Sequence, residues 1–242
     1  MSVLSRSSNY SGHTMDYKLT PSFGRRKARK LRDQSQRAYT DLLPLVKIDQ
    51  PKKPFETDFP EVWLEIGFGG GEHMLAQLAQ NPSVAMLGCE PFMNGVAKFL
   101  AHLSPEDYHR TRIWHEDVRY LLDAIPSPYF QRTFILFPDP WPKQRHHRRR
   151  LITNEFMEKL WPTLNEGALL HIASDDVSYV EHIQEVLYGY PNLLLCEGPP
   201  SADPLTWSPH PEGWPETRYE QKALAQGKKC AYMIFQKKEN LS

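Results

Sequence analysis

A chain of 242 residues, 40 % apolar and 12 % aromatic, is long enough for one large α/β domain with an appendage or for two small domains. No stretch reaches the roughly 18 uncharged apolar residues of a spanning helix, and Met1-Ser-Val-Leu-Ser-Arg lacks the apolar core of a secretory leader. Cys89, Cys196 and Cys230 stand apart from one another, which argues against a disulfide framework or a zinc site and for a reducing, cytoplasmic setting. Formal net charge is +0, yet residues 1–53 carry 12 Lys/Arg against 4 Asp/Glu while residues 54–140 carry 5 against 12. An acidic body with basic surfaces suits a polyanionic partner, although a solvated tail and loop give the same totals.

Residues 1–20 are polar and aperiodic, and the expectation there is disorder. The run from Ser22 to Arg32 could order as a basic helix on phosphate or remain a solvated tail. Pro51, Pro54 and Pro60 mark the passage into the body. Residues 1–53 therefore read as a basic, partly disordered arm and residues 54–242 as the folded domain.

Glu61-Val-Trp-Leu-Glu-Ile predicts a buried strand running into the glycine turn Gly67-Phe-Gly69-Gly-Gly71. A helix from His73 to Gln80 stops at Asn81-Pro82. Ser83–Glu90 predicts a second strand ending in an acid, followed by a helix over roughly 92–103. Thr111–Asp117 is a third strand with an acid at its end, then a short helix over Val118–Ile125. Arg132–Phe137 is a fourth strand. Helices at 153–161 and 177–188 flank a fifth strand over Gly167–Asp175. Asn192–Glu197 is a sixth strand. Six prolines and two tryptophans make residues 199–215 a long loop. Thr217–Gln226 predicts one or two helical turns, and Lys229–Gln236 the last strand. The alternation predicts a doubly wound, Rossmann-like sheet of about seven strands, mostly parallel and covered on both faces. Ligands of such sheets sit beyond the carboxyl ends of the strands, where Glu65 to Gly71, Glu90, Asp117, Asp139 and Asp175 all fall.

Gly67, Gly69 and Gly71 let a ligand approach the backbone closely. A dinucleotide fingerprint needs Gly or Ala at position 72, where Glu72 stands. A cofactor without phosphate tolerates that acid better. S-adenosyl-L-methionine carries a sulfonium and an ammonium, with Glu90 placed for its ribose hydroxyls and Asp117 beside its adenine. A tight turn in an unrelated α/β protein is the bland alternative.

Phe134 to Arg150 runs from an apolar strand through Asp139 and Trp141, set between three prolines, into Lys143-Gln-Arg-His-His-Arg-Arg-Arg150. Proline fixes φ and removes N–H donors, so the turn is stiff. The cationic tail suits RNA phosphate. Trp141 could stack on a splayed base or pack the loop. His146 and His147 read as polar spacers and not as a metal pair; no metal is expected.

Glu65-Ile-Gly-Phe-Gly-x-Gly-Glu, Gly88-x-Glu90, Phe137-Pro-Asp-Pro-Trp-Pro-Lys143-x-Arg-His-x-x-Arg-Arg, Ser174-Asp175 and Thr217-Arg-Tyr-Glu220 together resemble the bacterial tRNA (guanine-N7-)-methyltransferase family. This is a class I methyltransferase fold that modifies a guanosine in the tRNA variable loop. The resemblance covers nearly all of the chain from about residue 22. It implies that Glu65, Gly67, Gly69, Gly71, Glu90, Asp117 and Asp139 line the cofactor site. It further implies that Lys143, Asp175, Thr217, Arg218, Tyr219 and Glu220 meet the substrate, and that Arg145, His146, His147, Arg148, Arg149 and Arg150 lie along the RNA. The partner implied is tRNA, with no membrane, and the protein a monomer or homodimer with an antiparallel C-terminal strand. Gln144 and Ser174 stand where Lys and Thr are frequent in that family.

Asp139 is the expected catalytic residue, a carboxylate near developing positive charge. Asp175 and Glu220 are acceptors suited to the N1–H and N2–H₂ of guanine. Two rivals remain: a methyltransferase for another base or amine, and a non-catalytic RNA-binding protein on this fold. A nicotinamide oxidoreductase is disfavoured by Glu72.

Overall fold

The computed structural model describes residues 31–190 and 192–238. The expectations for residues 1–20, and for the basic run as far as residue 30, lie outside the described residues. Strands β1 (Glu61–Ile66), β2 (Val84–Cys89), β3 (Thr111–Trp114), β4 (Phe130–Leu136), β5 (Leu164–Ser174), β6 (Leu193–Glu197) and β7 (Ala231–Lys237) form one sheet in the order β3-β2-β1-β4-β5-β7-β6. The first five strands pair in parallel. Strand β7 enters antiparallel between β5 and β6. The doubly wound reading with an antiparallel C-terminal strand holds, and the structure adds that this strand lies inside the sheet.

The strands are apolar on both sides because both sides are covered. Every residue of β2 is buried, as a parallel strand between two layers requires. In β1, Trp63 joins one core with Met74, Leu78, Phe99 and Phe134. Its neighbour Leu64 joins the other with Val118, Phe156, Leu160 and Ile172.

Helix α2 (Glu72–Gln80) starts after Gly71 at φ +77°, and the Asn81 side chain donates to Gln77 O at its end. Helix α3 (Met93–Leu100) brings Gly95 against the glycine turn; a Cβ there would sit 2.4 Å from Gly69 O. Asp117 caps α4 (Val118–Leu122), Thr153 caps α5 (Asn154–Thr163) and Asp176 caps α6 (Val177–Tyr188), each accepting a backbone N–H of the first turn.

Helix α1 (Asp33–Val46) packs on α3 and β3. Val46 and Ile48 are buried, and Ile48 N donates to Ile113 O at 3.0 Å. These residues, read from sequence as part of the arm before position 54, lie on the body. The amphipathic pattern of Ala38, Tyr39, Leu42 and Leu43 against this core was masked in sequence by the basic run beside it.

The chain leaves β1 for β2 and β3 on one side, then returns to β4 on the other. The connections that follow β1 and β4 thus run to opposite sides, the switch point beyond whose strand ends ligands of such sheets sit.

Candidate active site

The turn after β1 is held open by its glycines. Gly67, Gly69 and Gly71 have φ of +77°, +55° and +77°, values that cost an L side chain strain. A Cβ on Gly67 would meet nothing within 4 Å, whereas one on Gly71 would sit 2.3 Å from the Phe99 ring. The first glycine therefore faces open space and the third is needed for helix packing. Gly69 N donates to Glu90 Oε2 at 2.7 Å, and Phe92 N donates to Glu90 Oε1 at 2.8 Å. Glu90 is buried. Burial pushes its carboxyl up, the two amides oppose that rise, and the nearby charges of Asp139 and Glu65 add to it.

Glu65, at the end of β1, is also buried, and its Oε2 lies 2.8 Å from His73 Nδ1. His73 Nε2 is 3.1 Å from Gln77 Nε2, and Gln77 Oε1 accepts from Asn81 at 3.1 Å. Asp117 caps α4 through Arg119 N at 3.0 Å and pairs with the Arg119 guanidinium at 2.9 Å. His115 Nδ1 lies 2.7 Å from Glu90 O, tying the ends of β2 and β3 together.

The Asp139 loop is bounded by two non-glycine residues in the left-handed region, Phe137 at φ +51° and Trp141 at +47°. Each precedes a proline, where extended backbone is the rule, so the turn stores strain. Phe137 N is anchored to Ala173 O at 2.8 Å, and Asp139 itself is exposed. The Trp141 ring packs edge-on to His146 and lies under the Arg149 guanidinium, 4.9 Å from the ring centroid. Of the two readings for Trp141, the free structure shows the packed one.

A 3₁₀ turn over Gln144–Arg149 carries the basic segment. Lys143, Arg145 and Arg148 are exposed. Arg150, expected along the RNA, is 2 % exposed. It donates to Pro140 O at 3.0 Å, Ser178 O at 3.1 Å and Ser178 Oγ at 2.6 Å, and lies over the Tyr179 ring at 5.0 Å. Its guanidinium clamps the Asp139 loop to α6 and does not face outward.

Helix α7 (Arg218–Ala225) begins with a capping box. Glu220 N donates to Thr217 Oγ1 at 3.1 Å and Thr217 N to Glu220 Oε2 at 3.2 Å. Glu220 is buried and accepts from the Tyr232 hydroxyl; His210 Nε2 is 3.3 Å away without hydrogen-bond geometry. The expected role of Glu220 as an acceptor for guanine meets a carboxylate already engaged inside the fold. Asp175, expected beside it, forms an ion pair with Lys228. Tyr219 is 59 % exposed, and its ring would lie 3.5 Å from a Cβ on Gly69. Burial, then the charges of Glu90 and Asp139, raise its phenol. Tyr219 therefore leans over the glycine turn from the far end of the sequence.

The structure thus brings Glu65, Gly69, Glu90, Asp139 and Tyr219 within reach of one another at the strand ends, beside the open Gly67. Asp117 sits at the adjoining strand end. The exposed basic segment is a separate strip leading from it. Sequence reasoning missed His73, His115 and the packing of α1. Position alone offered a hint for His73, since i+8 from a strand-end acid across a tight turn can return to it.

The putative methyltransferase family matches residues 60–233. Among solved structures, the 16S rRNA methyltransferase KamB superposes with a TM-score of 0.53 at 14 % identity, over 75 % of this chain and 89 % of that one; this likeness is one of fold. Sheet order, glycine turn and family match define a methyltransferase of the seven-stranded α/β class. The tRNA (guanine-N(7)-)-methyltransferase of Rhodospirillum rubrum is 39 % identical over 226 residues, covering 89 % of this chain and 87 % of that protein. That of Ruegeria pomeroyi is 40 % identical over 229 residues, covering 90 % and 94 %. The chain belongs to the tRNA (guanine-N(7)-)-methyltransferase family.

Proposed function

We propose that this protein transfers a methyl group from S-adenosyl-L-methionine to N7 of a guanosine in the variable loop of tRNA. The observation that carries the reading is the convergence of Glu90, Asp139 and Tyr219 on a glycine turn whose first Cβ position is open. Those residues fit the cofactor. Glu90 presents a carboxylate for two ribose hydroxyls, with Gly69 N and Phe92 N holding it in place. Asp117 flanks the adenine position. Glu65 and Asp139 lend negative charge around a cationic sulfonium. When bound, the cofactor supplies an electrophilic methyl.

Guanine N7 has an in-plane lone pair and no proton to lose, so the protein needs no strong base. Its residues align the acceptor in line with the methyl, and alignment of that kind is worth up to roughly 7–11 kcal/mol. Positive charge then appears on the imidazole ring of the base. Asp139, exposed at the mouth on a stiff turn, is the carboxylate placed to oppose it. Tyr219 offers a ring and a hydroxyl over the turn. Glu220 acts through the capping box by fixing Thr217–Tyr219. Lys143, Arg145 and Arg148 take phosphate. Three free cysteines fit the cytoplasm, where tRNA is modified.

The deciding assay incubates the purified chain with labelled S-adenosyl-L-methionine and unmodified tRNA, then maps the methyl by N7-specific chain cleavage. Incorporation at a variable-loop guanosine is the expected result. Absence of label, or label on an exocyclic amine, removes the reading.

A further inference from the structure

A cavity of about 550 Å³ opens on the sheet face that carries α2, between that helix and the loop Pro211–Trp214. That size is in the range of small-molecule sites. Its floor is mid-strand, away from the strand ends that form the candidate active site. Trp63 of β1, Arg132 and Phe134 of β4, and His171 of β5 lie side by side in register there. Trp214 closes over them, 5.1 Å from the His171 ring.

Two side chains of the floor, His171 and Arg132, are without hydrogen-bond partners among the described residues. His171 is 4 % exposed, and neither ring nitrogen has a hydrogen-bond partner among the described residues. A phenylalanine would make the same stack on Phe134, 4.7 Å between centroids at 29°, without burying two such atoms. The Arg132 guanidinium lies over the Trp63 ring, 4.5 Å from its centroid, and has no hydrogen bond or ion pair among the described residues. The exposed carboxylates of Glu197 and Glu212 also line the opening.

This set selects a ligand chemistry. The Trp214 ring, partly exposed on the loop, offers an aromatic wall that favours a flat ring. A guanidinium gives paired donors, an imidazole gives one donor and one acceptor, and the carboxylates accept. Two carboxylates beside one guanidinium disfavour phosphate, and the guanidinium disfavours a cation. We propose that the cavity is a second binding site, for an uncharged flat nitrogen heterocycle of the nucleobase class, recognised by Arg132 and His171. Arg132 takes ring acceptors such as the O6 and N7 of guanine, and the carboxylates take amino protons. Gln77 lines the same cavity and bonds to His73, the partner of Glu65. The site therefore lies two side chains behind the cofactor end of β1.

The test uses the full chain with saturating S-adenosylhomocysteine, so that the cofactor site cannot take the probe. Guanosine, titrated by calorimetry, should bind saturably, and ribose 5-phosphate should not. His171→Phe and Arg132→Gln should each weaken guanosine by about tenfold or more, with thermal melting verifying the fold; Trp214→Leu, on the loop, is the further variant should either melt early. A second arm exposes unmodified tRNA carrying 4-thiouridine to light and maps crosslinked peptides. Crosslinks at Pro211–Trp214 that vanish in His171→Phe assign the base to bound RNA; guanosine binding without them assigns a free nucleoside. No guanosine binding together with no such crosslink overturns the proposal, as does binding undiminished in His171→Phe and Arg132→Gln. The RNA source rests on the tRNA reading. Guanosine binding with no methyl transfer to tRNA would remove that reading and leave this site standing.

Discussion

Glu65 Oε2 and His73 Nδ1 lie 2.8 Å apart, both side chains buried, across the tight turn that joins β1 to α2. A carboxylate only accepts, so Nδ1 carries the hydrogen. Gln77 accepts from Asn81 through its oxygen, which turns its amide N–H toward His73 Nε2. The chain of bonds runs Asn81 to Gln77 to His73 to Glu65. His73 fixes the direction of the acid at the end of β1 from behind the site.

His73→Phe would strip the Glu65 carboxylate of its one hydrogen-bond partner among the described residues. We expect a stability loss of about 1–3 kcal/mol and weaker S-adenosylmethionine binding by calorimetry, with tRNA affinity kept. His73→Gln, which can still donate, should recover most of both. Equal cofactor affinity in His73→Phe would reduce the pair to packing.

Asp139 is exposed and its carboxylate has no hydrogen bond among the described residues, unlike those of Glu65 and Glu90. Asp139→Ala should therefore melt with the wild type while kcat/KM for tRNA methylation falls about a hundredfold or more, the scale of losing one charge-stabilising group. Turnover close to wild type in a single-turnover assay would move the catalytic role elsewhere.

Two arginines of the basic segment should part company. Arg148 faces solvent, so Arg148→Ala should leave melting unchanged, weaken tRNA binding and lower the salt slope by about one unit. Arg150 is buried with four protein acceptors, Pro140 O, Ser178 O, Ser178 Oγ and His147 Nε2. Arg150→Ala should lose roughly 2–4 kcal/mol of stability, seen in denaturant titration. Similar behaviour of the two variants would contradict the burial.

His171 gives a pH dependence. Burial, then the charges of Arg132 and His73, lower its ring from the usual 6.5 to about 3. The unfolded chain takes up a proton near pH 6.5 that the folded chain refuses until about pH 3. Stability from this group is complete above pH 6.5 and is lost as pH falls toward 3. Relative to His171→Phe, the wild type should lose up to about 1.4 kcal/mol per pH unit across that window, measured by denaturant titration at several pH values. Parallel curves for the two proteins would show that the ring titrates normally.

The sequence by itself determined the sheet and its ends. Apolar runs of strand length alternating with helical spacing leave few topologies. The acids at Glu65, Glu90, Asp117 and Asp139 were legible because a parallel sheet delivers consecutive strand ends to one edge. The Asp139 loop was legible because its prolines and cations are contiguous. What adjacency in the chain could not carry, the tertiary structure decided. Arg150 and Arg148 are two residues apart, yet a 3₁₀ turn sends one inward to Ser178 and leaves the other in water. Glu220 accepts from the Tyr232 hydroxyl, a partner that the antiparallel entry of β7 places nearby and that local pattern did not show. Helix α1 joined the body through α3 and β3, contacts far along the chain. The direction of a charged side chain depends on which buried acceptor reaches it first, and that is a property of packing that local pattern does not encode.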